Sequence, residues 1–163
     1  MTELIVMCGK PGSGKSTYAA QVKEKLGYRL LSIDSFYETV FGDKHSHTHK
    51  FEIWQMLYQA VYIAAQDKVS VVLDINAPTK SMREEVYRTF RPYFDQISLC
   101  YVEADNELCR QNNLSRERKI PAEPMEKLLE SFSPPKREDE YFWDYITYLS
   151  NWDNTIYYNK TAR

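Results

Sequence analysis

The sequence predicts an α/β protein whose mostly parallel sheet is covered by helices on both faces. Two observations carry this. Short β-branched and apolar runs alternate with helical patterns along the whole 163-residue chain. The clearest run, residues 69–74, stays apolar up to a terminal Asp74, as a strand buried on both faces does.

The elements follow in order. Residues 4–8 (Leu-Ile-Val-Met-Cys) read as a strand, and 9–17 as a glycine-rich turn. Residues 18–26 keep apolar positions at helical spacing until Gly27 stops them. A second strand covers 28–33 and ends at Asp34, with a short helix over 35–41. After a polar break at 42–50, residues 51–66 carry a long helical pattern through Ile53, Met56, Leu57, Ala60, Val61 and Ala64. The third strand is 69–74, followed by a helix over 79–90 that closes before Pro92. A fourth strand spans 96–102, and another helix begins at 107–113. Residues 124–132 are helical up to Pro134-Pro135, and 143–149 supply a fifth strand.

Gly9-Lys-Pro-Gly-Ser-Gly-Lys-Ser-Thr17 meets the nucleotide-binding pattern G-x-x-x-x-G-K-[ST] at Gly9, Gly14, Lys15 and Ser16. Its context is strand, glycine loop, helix. That arrangement presents backbone N–H groups and the positive end of a helix macrodipole to a polyphosphate. Gly12 and Gly14 let the backbone approach the phosphates. Lys15 is expected to reach the β- and γ-phosphates, and the Ser16 hydroxyl to coordinate Mg²⁺. The expected nucleotide contacts are therefore Gly9, Pro11, Gly12, Ser13, Gly14, Lys15, Ser16 and Thr17.

Composition narrows the class further. One domain over 1–163 is expected, long enough to bury a core without disulfides or a structural metal. A net charge of −2 advertises no global basic field for nucleic acid. Cys8, Cys100 and Cys109 lack C-x-x-C spacing and read as reduced thiols. With a strand starting at about residue 3 and no long apolar run, neither signal peptide nor membrane span is expected, and a cytoplasmic location follows.

In a parallel sheet, ligands gather beyond the carboxyl ends of the strands. Asp34, Asp74 and Asn76 fall there with the phosphate loop. Asp34 is placed to take a proton from an acceptor hydroxyl, or else to cap the following helix. Asp74 is placed to hold Mg²⁺ through water or to anchor an arginine; the alternative is a structural Asp-turn. Residues 110–121 hold Arg110, Arg116, Arg118 and Lys119 against Glu117. They read as a lid closing over ATP, or as a solvated helix end. His45, His47 and His49 alternate in a polar loop and read as exposed side chains rather than a metal site. The aromatic C-terminal part, Tyr141 to Tyr158, reads as strand packing or a self-association surface before base stacking.

With these residues in view, the chain resembles the polynucleotide kinase-like P-loop kinases, a group that includes phage and bacterial 5′-hydroxyl polynucleotide kinases. The similarity runs from the phosphate loop to about Pro135. It takes in Ser32-Ile-Asp34-Ser35, Val71-Val-Leu-Asp74-Ile-Asn76, Asn113-Leu-Ser-Arg116-Glu-Arg118-Lys-Ile-Pro121 and the helix with its Pro134-Pro135 pair. The resemblance implies a P-loop NTPase three-layer sandwich with five parallel strands in the order 2-3-1-4-5 and a lid at 110–121. It also implies Mg²⁺-dependent transfer of the ATP γ-phosphoryl group to a hydroxyl, with a nucleic-acid 5′ end as the leading acceptor. Lys15 and Ser16 would hold ATP·Mg²⁺, Asp34 would be the base, and Arg116 the leading lid arginine with Arg118 as its alternative. Asn76 and Tyr37 would lie on the acceptor side. Phage-type members carry an arginine at the position of Tyr37 to hold the substrate's own phosphate. Without it, phosphate contacts would fall to Arg110, Lys119 or the lid arginines, leaving Tyr37 to stack on the terminal base. A small-molecule kinase and a nucleotide-regulated assembly factor are the rival readings, and the oligomeric state is open.

Overall fold

The computed structural model describes residues 1–42, 48–117, 119–150 and, for their backbone, 159–162. Its sheet has the strand order β2-β3-β1-β4-β5-β6. Strands β1 (Glu3–Cys8), β2 (Arg29–Ser32), β3 (Val71–Asp74), β4 (Gln96–Glu103) and β5 (Tyr145–Ser150) are mutually parallel. The expected order 2-3-1-4-5 is thus present. A sixth strand, β6 (Asn159–Ala162), pairs antiparallel with β5 and covers that sheet edge. The sequence does not announce it, because four residues of mixed polarity carry no periodic signal.

Three strands are buried almost throughout: β1, β3 and β4 at the centre. Their side chains alternate between two cores. Leu4, Val6, Leu73 and Leu99 face one side, with Leu57, Val61 and Ala64 of α3 (Lys50–Gln66) and Val86 and Phe90 of α4 (Lys80–Phe90). Met7, Val72, Cys100 and Val102 face the other, against Ala19 and Val22 of α1 (Lys15–Leu26). Helices α5 (Asn106–Leu114) and α6 (Ala122–Glu130) meet in a small cluster of Ala104, Cys109, Met125 and Leu129. Truncating a central residue such as Leu99, which is fully buried, to Ala would cost about 2–5 kcal/mol through lost transfer energy and a cavity.

Two boundaries differ from expectation in ways that matter. Helix α1 begins at Lys15, so the motif lysine and serine form its first turn. Helix α2 (Ile33–Phe41) begins where β2 ends, with Ser32 at the N-cap position. Asp34 therefore lies inside the first turn of α2, not at its cap, and the capping role proposed for it is not met.

The register sets the site. Ser32 is level with Asp74, and Val6 with Leu73, so β1, β2 and β3 end side by side. Their carboxyl ends deliver the phosphate loop, the first turn of α2 and Asp74 to one edge.

Candidate active site

The phosphate loop is fastened from both sides. Gly9 N–H donates to the Asn76 carbonyl at 3.1 Å, tying its start to the chain after β3. Asn112 of α5 donates from Nδ2 to the Gly12 carbonyl at 2.7 Å. Gly12 has φ 80°, and a Cβ there would lie 2.5 Å from the Cys109 carbonyl oxygen. A side chain at this position would push α5 away from the loop. Pro11, Gly12 and Ser13 are buried, while Ser16 and Thr17 are exposed.

Gly14 turns the chain into α1 with φ 96°. No side chain caps this helix, and its first turn holds no acid. By contrast, Thr79 caps α4 and Asp105 caps α5. The free N–H groups at the start of α1 are therefore left for an anion, together with the positive end of the helix dipole.

Lys15 is 7% exposed at the mouth of the loop. Burial pushes its ammonium pKa below the ordinary lysine value, while the charges of Asp74 and Asp34 pull it back up and Arg116 pushes it further down. Asp74 is also buried, and burial raises its carboxyl pKa. Lys15, the Ser16 bond and Arg116 oppose that shift, and Asp34 adds to it. Lys15 and Asp74 therefore each feel the charges of the other, of Asp34 and of Arg116.

Ser16 Oγ donates to Asp74 Oδ2 at 2.7 Å. Two oxygen ligands, one neutral and one carboxylate, converge beside the free amides of α1. That donor set fits Mg²⁺, which is held by few protein oxygens and completes its shell with water and phosphate. Among the described residues, the hydrogen-bond partner of Asp74 is Ser16. Asp34 is exposed in the first turn of α2, and Arg116 is half-buried just beyond α5.

Several expectations are corrected. Arg110 is not free for a phosphate: its Nε and Nη2 bind Glu126 of α6 at 2.6 and 3.0 Å, and Nη1 lies 3.5 Å from Glu107. Residues 110–114 belong to α5, so the irregular connection spans only 115–121. Tyr37 is 5% exposed, which leaves no ring face for a terminal base. Its hydroxyl finds no hydrogen-bond partner among the described residues. Burial and the Asp34 charge raise its pKa. The backbone carbonyl of Asn76 accepts from Gly9 N–H, so this residue also ties the loop to the chain after β3. Arg118, His45 and His47 lie outside the described residues, as do Trp152, Tyr157 and Tyr158. His49 starts α3, exposed, and stacks on Phe41 with centroids 6.0 Å apart. Among the described residues no group of three His, Cys, Asp or Glu side chains is placed to hold a metal.

Two supports of the site escape a reading of the sequence. Asn113, buried, donates to the Ile120 carbonyl and accepts from the Ile120 N–H, closing the base of the 115–119 connection. Its place inside the arginine-rich run gives no hint of this. Arg83 and Glu140 form a buried ion pair beside the loop after β3. The signal for Arg83 is present: with Val86 and Phe90 it lies on the buried stripe of α4.

Known proteins share this fold. A family profile described as an AAA domain matches residues 4–135. The chain belongs to that family. The match runs from β1 through the phosphate loop, Asp74 and the 115–121 connection to the prolines after α6, so the AAA domain encloses the whole site. Among curated proteins, the L-seryl-tRNA(Sec) kinase of Methanococcus maripaludis is 23% identical over 171 residues, 96% of this chain and 62% of the relative. The chain thus spans about three fifths of that protein's length. A chain in the Pnkp1/Rnl/Hen1 RNA repair complex superposes with a TM-score of 0.71 at 23% identity, covering 80% of this chain and 43% of that one. The APS kinase CysC of Mycobacterium tuberculosis, solved with AMPPNP and APS, gives a TM-score of 0.68 at 18% identity, covering 94% and 90%. At these identities the structural likeness shows the fold: that of P-loop kinases. No helix among the described residues is long and apolar enough to cross a membrane.

Proposed function

We propose that this protein is an ATP-dependent phosphotransferase that moves the γ-phosphoryl group to a hydroxyl, with a nucleic-acid 5′-hydroxyl end as the leading acceptor. The observation that carries the reading is the Ser16–Asp74 contact at the uncapped start of α1, with Lys15 buried in the same turn and Asp34 in the first turn of α2. Asp34 supplies the second carboxylate that an acceptor hydroxyl needs as its base.

Each residue has a task. The amides of Gly14 to Thr17 and the Lys15 ammonium bind the β- and γ-phosphates, whose negative charge offsets the cost of burying that ammonium. Ser16 and Asp74 are the residues that would hold Mg²⁺. Bound there, the ion would neutralise charge on the phosphate oxygens. Asp34 accepts the proton as the acceptor oxygen attacks the γ-phosphorus. The bond from that phosphorus to the β–γ bridging oxygen breaks, and ADP leaves with the electron pair. Arg116 faces the equatorial oxygens. The 115–121 connection, whose sequence includes Arg118, closes over the nucleotide and excludes water.

The nucleic-acid acceptor is supported by the neighbour that is part of an RNA repair complex; the relative named as a kinase of L-seryl-tRNA supports an RNA-borne substrate without placing the reacting hydroxyl at a 5′ end. A small hydroxyl acceptor is favoured by one observation: Tyr37 is buried and neutral where the resembled kinases have a phosphate-binding arginine. The reading as an assembly factor has no such observation behind it. Incubation with γ-labelled ATP and Mg²⁺, offering 5′-hydroxyl RNA, 5′-hydroxyl DNA and a panel of small alcohols separately, tests the proposal. Label on an oligonucleotide 5′ end is the expected result. Label only on a small alcohol replaces the acceptor, and label on no acceptor overturns the phosphotransferase.

A further inference from the structure

We infer that the buried Arg83–Glu140 pair is a positioning unit for the phosphate loop, acting through the backbone after β3. Nε and Nη2 of Arg83 each reach a Glu140 carboxylate oxygen at 2.8 Å, and both side chains are 1% exposed. Glu140 Oε1 also accepts from Trp143 Nε1 at 3.3 Å. The remaining guanidinium nitrogen, Nη1, donates to the carbonyls of Ala77 at 2.8 Å and Ser133 at 2.9 Å.

Ala77 is the point of leverage. It has φ 48°, the left-handed region that an alanine rarely occupies, and such a conformation persists only where its surroundings over-determine it. Its carbonyl takes two donors, Arg83 Nη1 and Cys8 Sγ, the latter at 3.4 Å. The next residue, Pro78, accepts from Ser133 N–H at 2.8 Å, so the same arginine joins the chain after α6 to the chain after β3. Immediately before Ala77 stand Asn76, whose carbonyl holds Gly9 N–H, and, three residues back, Asp74, which holds Ser16. The Asn76 contact with the loop and the Asp74 contact with the start of α1 therefore lie within three residues of the carbonyl that Arg83 grips.

Stability alone does not explain this pair. A buried ion pair replaced by apolar side chains of similar size often leaves a protein as stable or more so, because its desolvation cost rivals its attraction. What an apolar pair cannot do is hold a carbonyl in place. A guanidinium presents donors in a rigid fork and serves Glu140, Ala77 and Ser133 together, which a lysine cannot.

The test uses Arg83→Met combined with Glu140→Leu, and Arg83→Lys alone, in the full chain. The first readout, amide hydrogen exchange at Gly9 without nucleotide, is independent of the proposed reaction. The second, affinity for a non-hydrolysable ATP analogue against Mg²⁺ concentration, rests on the proposed function. The folded double variant should exchange the Gly9 amide about 10-fold faster and bind ATP·Mg²⁺ about 10-fold more weakly. Arg83→Lys should show the same faster exchange, and it decides the matter if the double variant does not fold. Wild-type Gly9 protection in a folded variant of either kind overturns the inference. A wild-type protein that binds no nucleotide instead overturns the phosphotransferase reading, leaving the exchange result to judge the positioning unit.

Discussion

Ser16 Oγ and Asp74 Oδ2 stand 2.7 Å apart, joining the first turn of α1 to the last residue of β3. The hydroxyl proton lies between two oxygens that would both point at a bound cation. The parallel pairing of β1 with β3 creates this approach: it puts the residue after Leu73 level with the end of β1, and the loop then returns Ser16 to the same edge. Replacing Asp74 with Asn keeps the volume and an acceptor for Ser16 but removes the charge. Asp74→Asn should raise the Mg²⁺ concentration needed for half-maximal activity by about 10–100-fold. A titration of activity with Mg²⁺ checks this. An unchanged midpoint would place the metal elsewhere.

Lys15→Ala should abolish phosphoryl transfer and leave the ligand-free protein folded. Burial already disfavours the charged ammonium in the absence of an anion, so its loss removes a cost as well as a contact. The transfer rate and a thermal melt without nucleotide, measured together, separate chemistry from folding. Near-normal turnover in a folded variant would sink the assignment of the phosphate site.

Asp34→Asn should retain ATP binding and lose transfer by about 10²–10⁴-fold. Because Ser32, not Asp34, occupies the N-cap position of α2, the loss cannot be blamed on an uncapped helix. Single-turnover transfer and calorimetric nucleotide binding are the two measurements. Full transfer by this variant would put the base on another residue.

The site is legible in the sequence wherever chemistry and position coincide. Asp74 ends β3, Lys15 and Ser16 open the helix that follows β1, and Asp34 lies in the first turn of the helix after β2, so alternation toward a parallel sheet already directs all four to one edge. The supports are harder to read. Arg83 lies on a buried stripe, but its partner Glu140 comes 57 residues later in a segment with no periodic pattern. Arg110 looks like a free cation because its partner, Glu126, belongs to the next helix across a turn of unknown path. Tyr37 falls in α2 as expected but turns inward, and a nine-residue helix does not reveal which of its aromatics will do so.

Stability should fall in acid through Asp95. Its carboxylate accepts from the Thr2 N–H at 2.7 Å and the Thr2 hydroxyl at 3.0 Å, fixing the start of β1 beside the start of β4. These bonds hold its pKa below the ordinary carboxylate value. A depressed folded-state pKa means that the contribution is complete above the unfolded value of 3.8 and disappears as pH falls through the lower, folded one. Asp95→Asn should therefore melt below wild type at neutral pH, with the gap closing as pH drops below about 4. A gap that is constant with pH would show that the charge of Asp95 is not what Thr2 uses.

The acceptor should declare itself in the salt dependence of binding. If a 5′-hydroxyl nucleic-acid end is the acceptor, its phosphates must meet cations, and Tyr37 offers none. Arg110 is committed to Glu126 and Glu107, whose bonds raise its pKa and hold it charged. Lys119, in contrast, is exposed on the 115–121 connection. Lys119→Ala should therefore flatten the plot of log affinity against log salt for a single-stranded 5′-hydroxyl oligonucleotide, by roughly 0.7 for each phosphate that Lys119 neutralises. Arg110→Ala should leave the slope as it is and lower only the melting temperature, because its work is to tie α5 to α6. Equal flattening by both variants would mean that Arg110 leaves Glu126 when nucleic acid arrives. An affinity that does not respond to salt in wild type, or no oligonucleotide binding at low salt, would remove the polynucleotide acceptor and leave a small alcohol in its place.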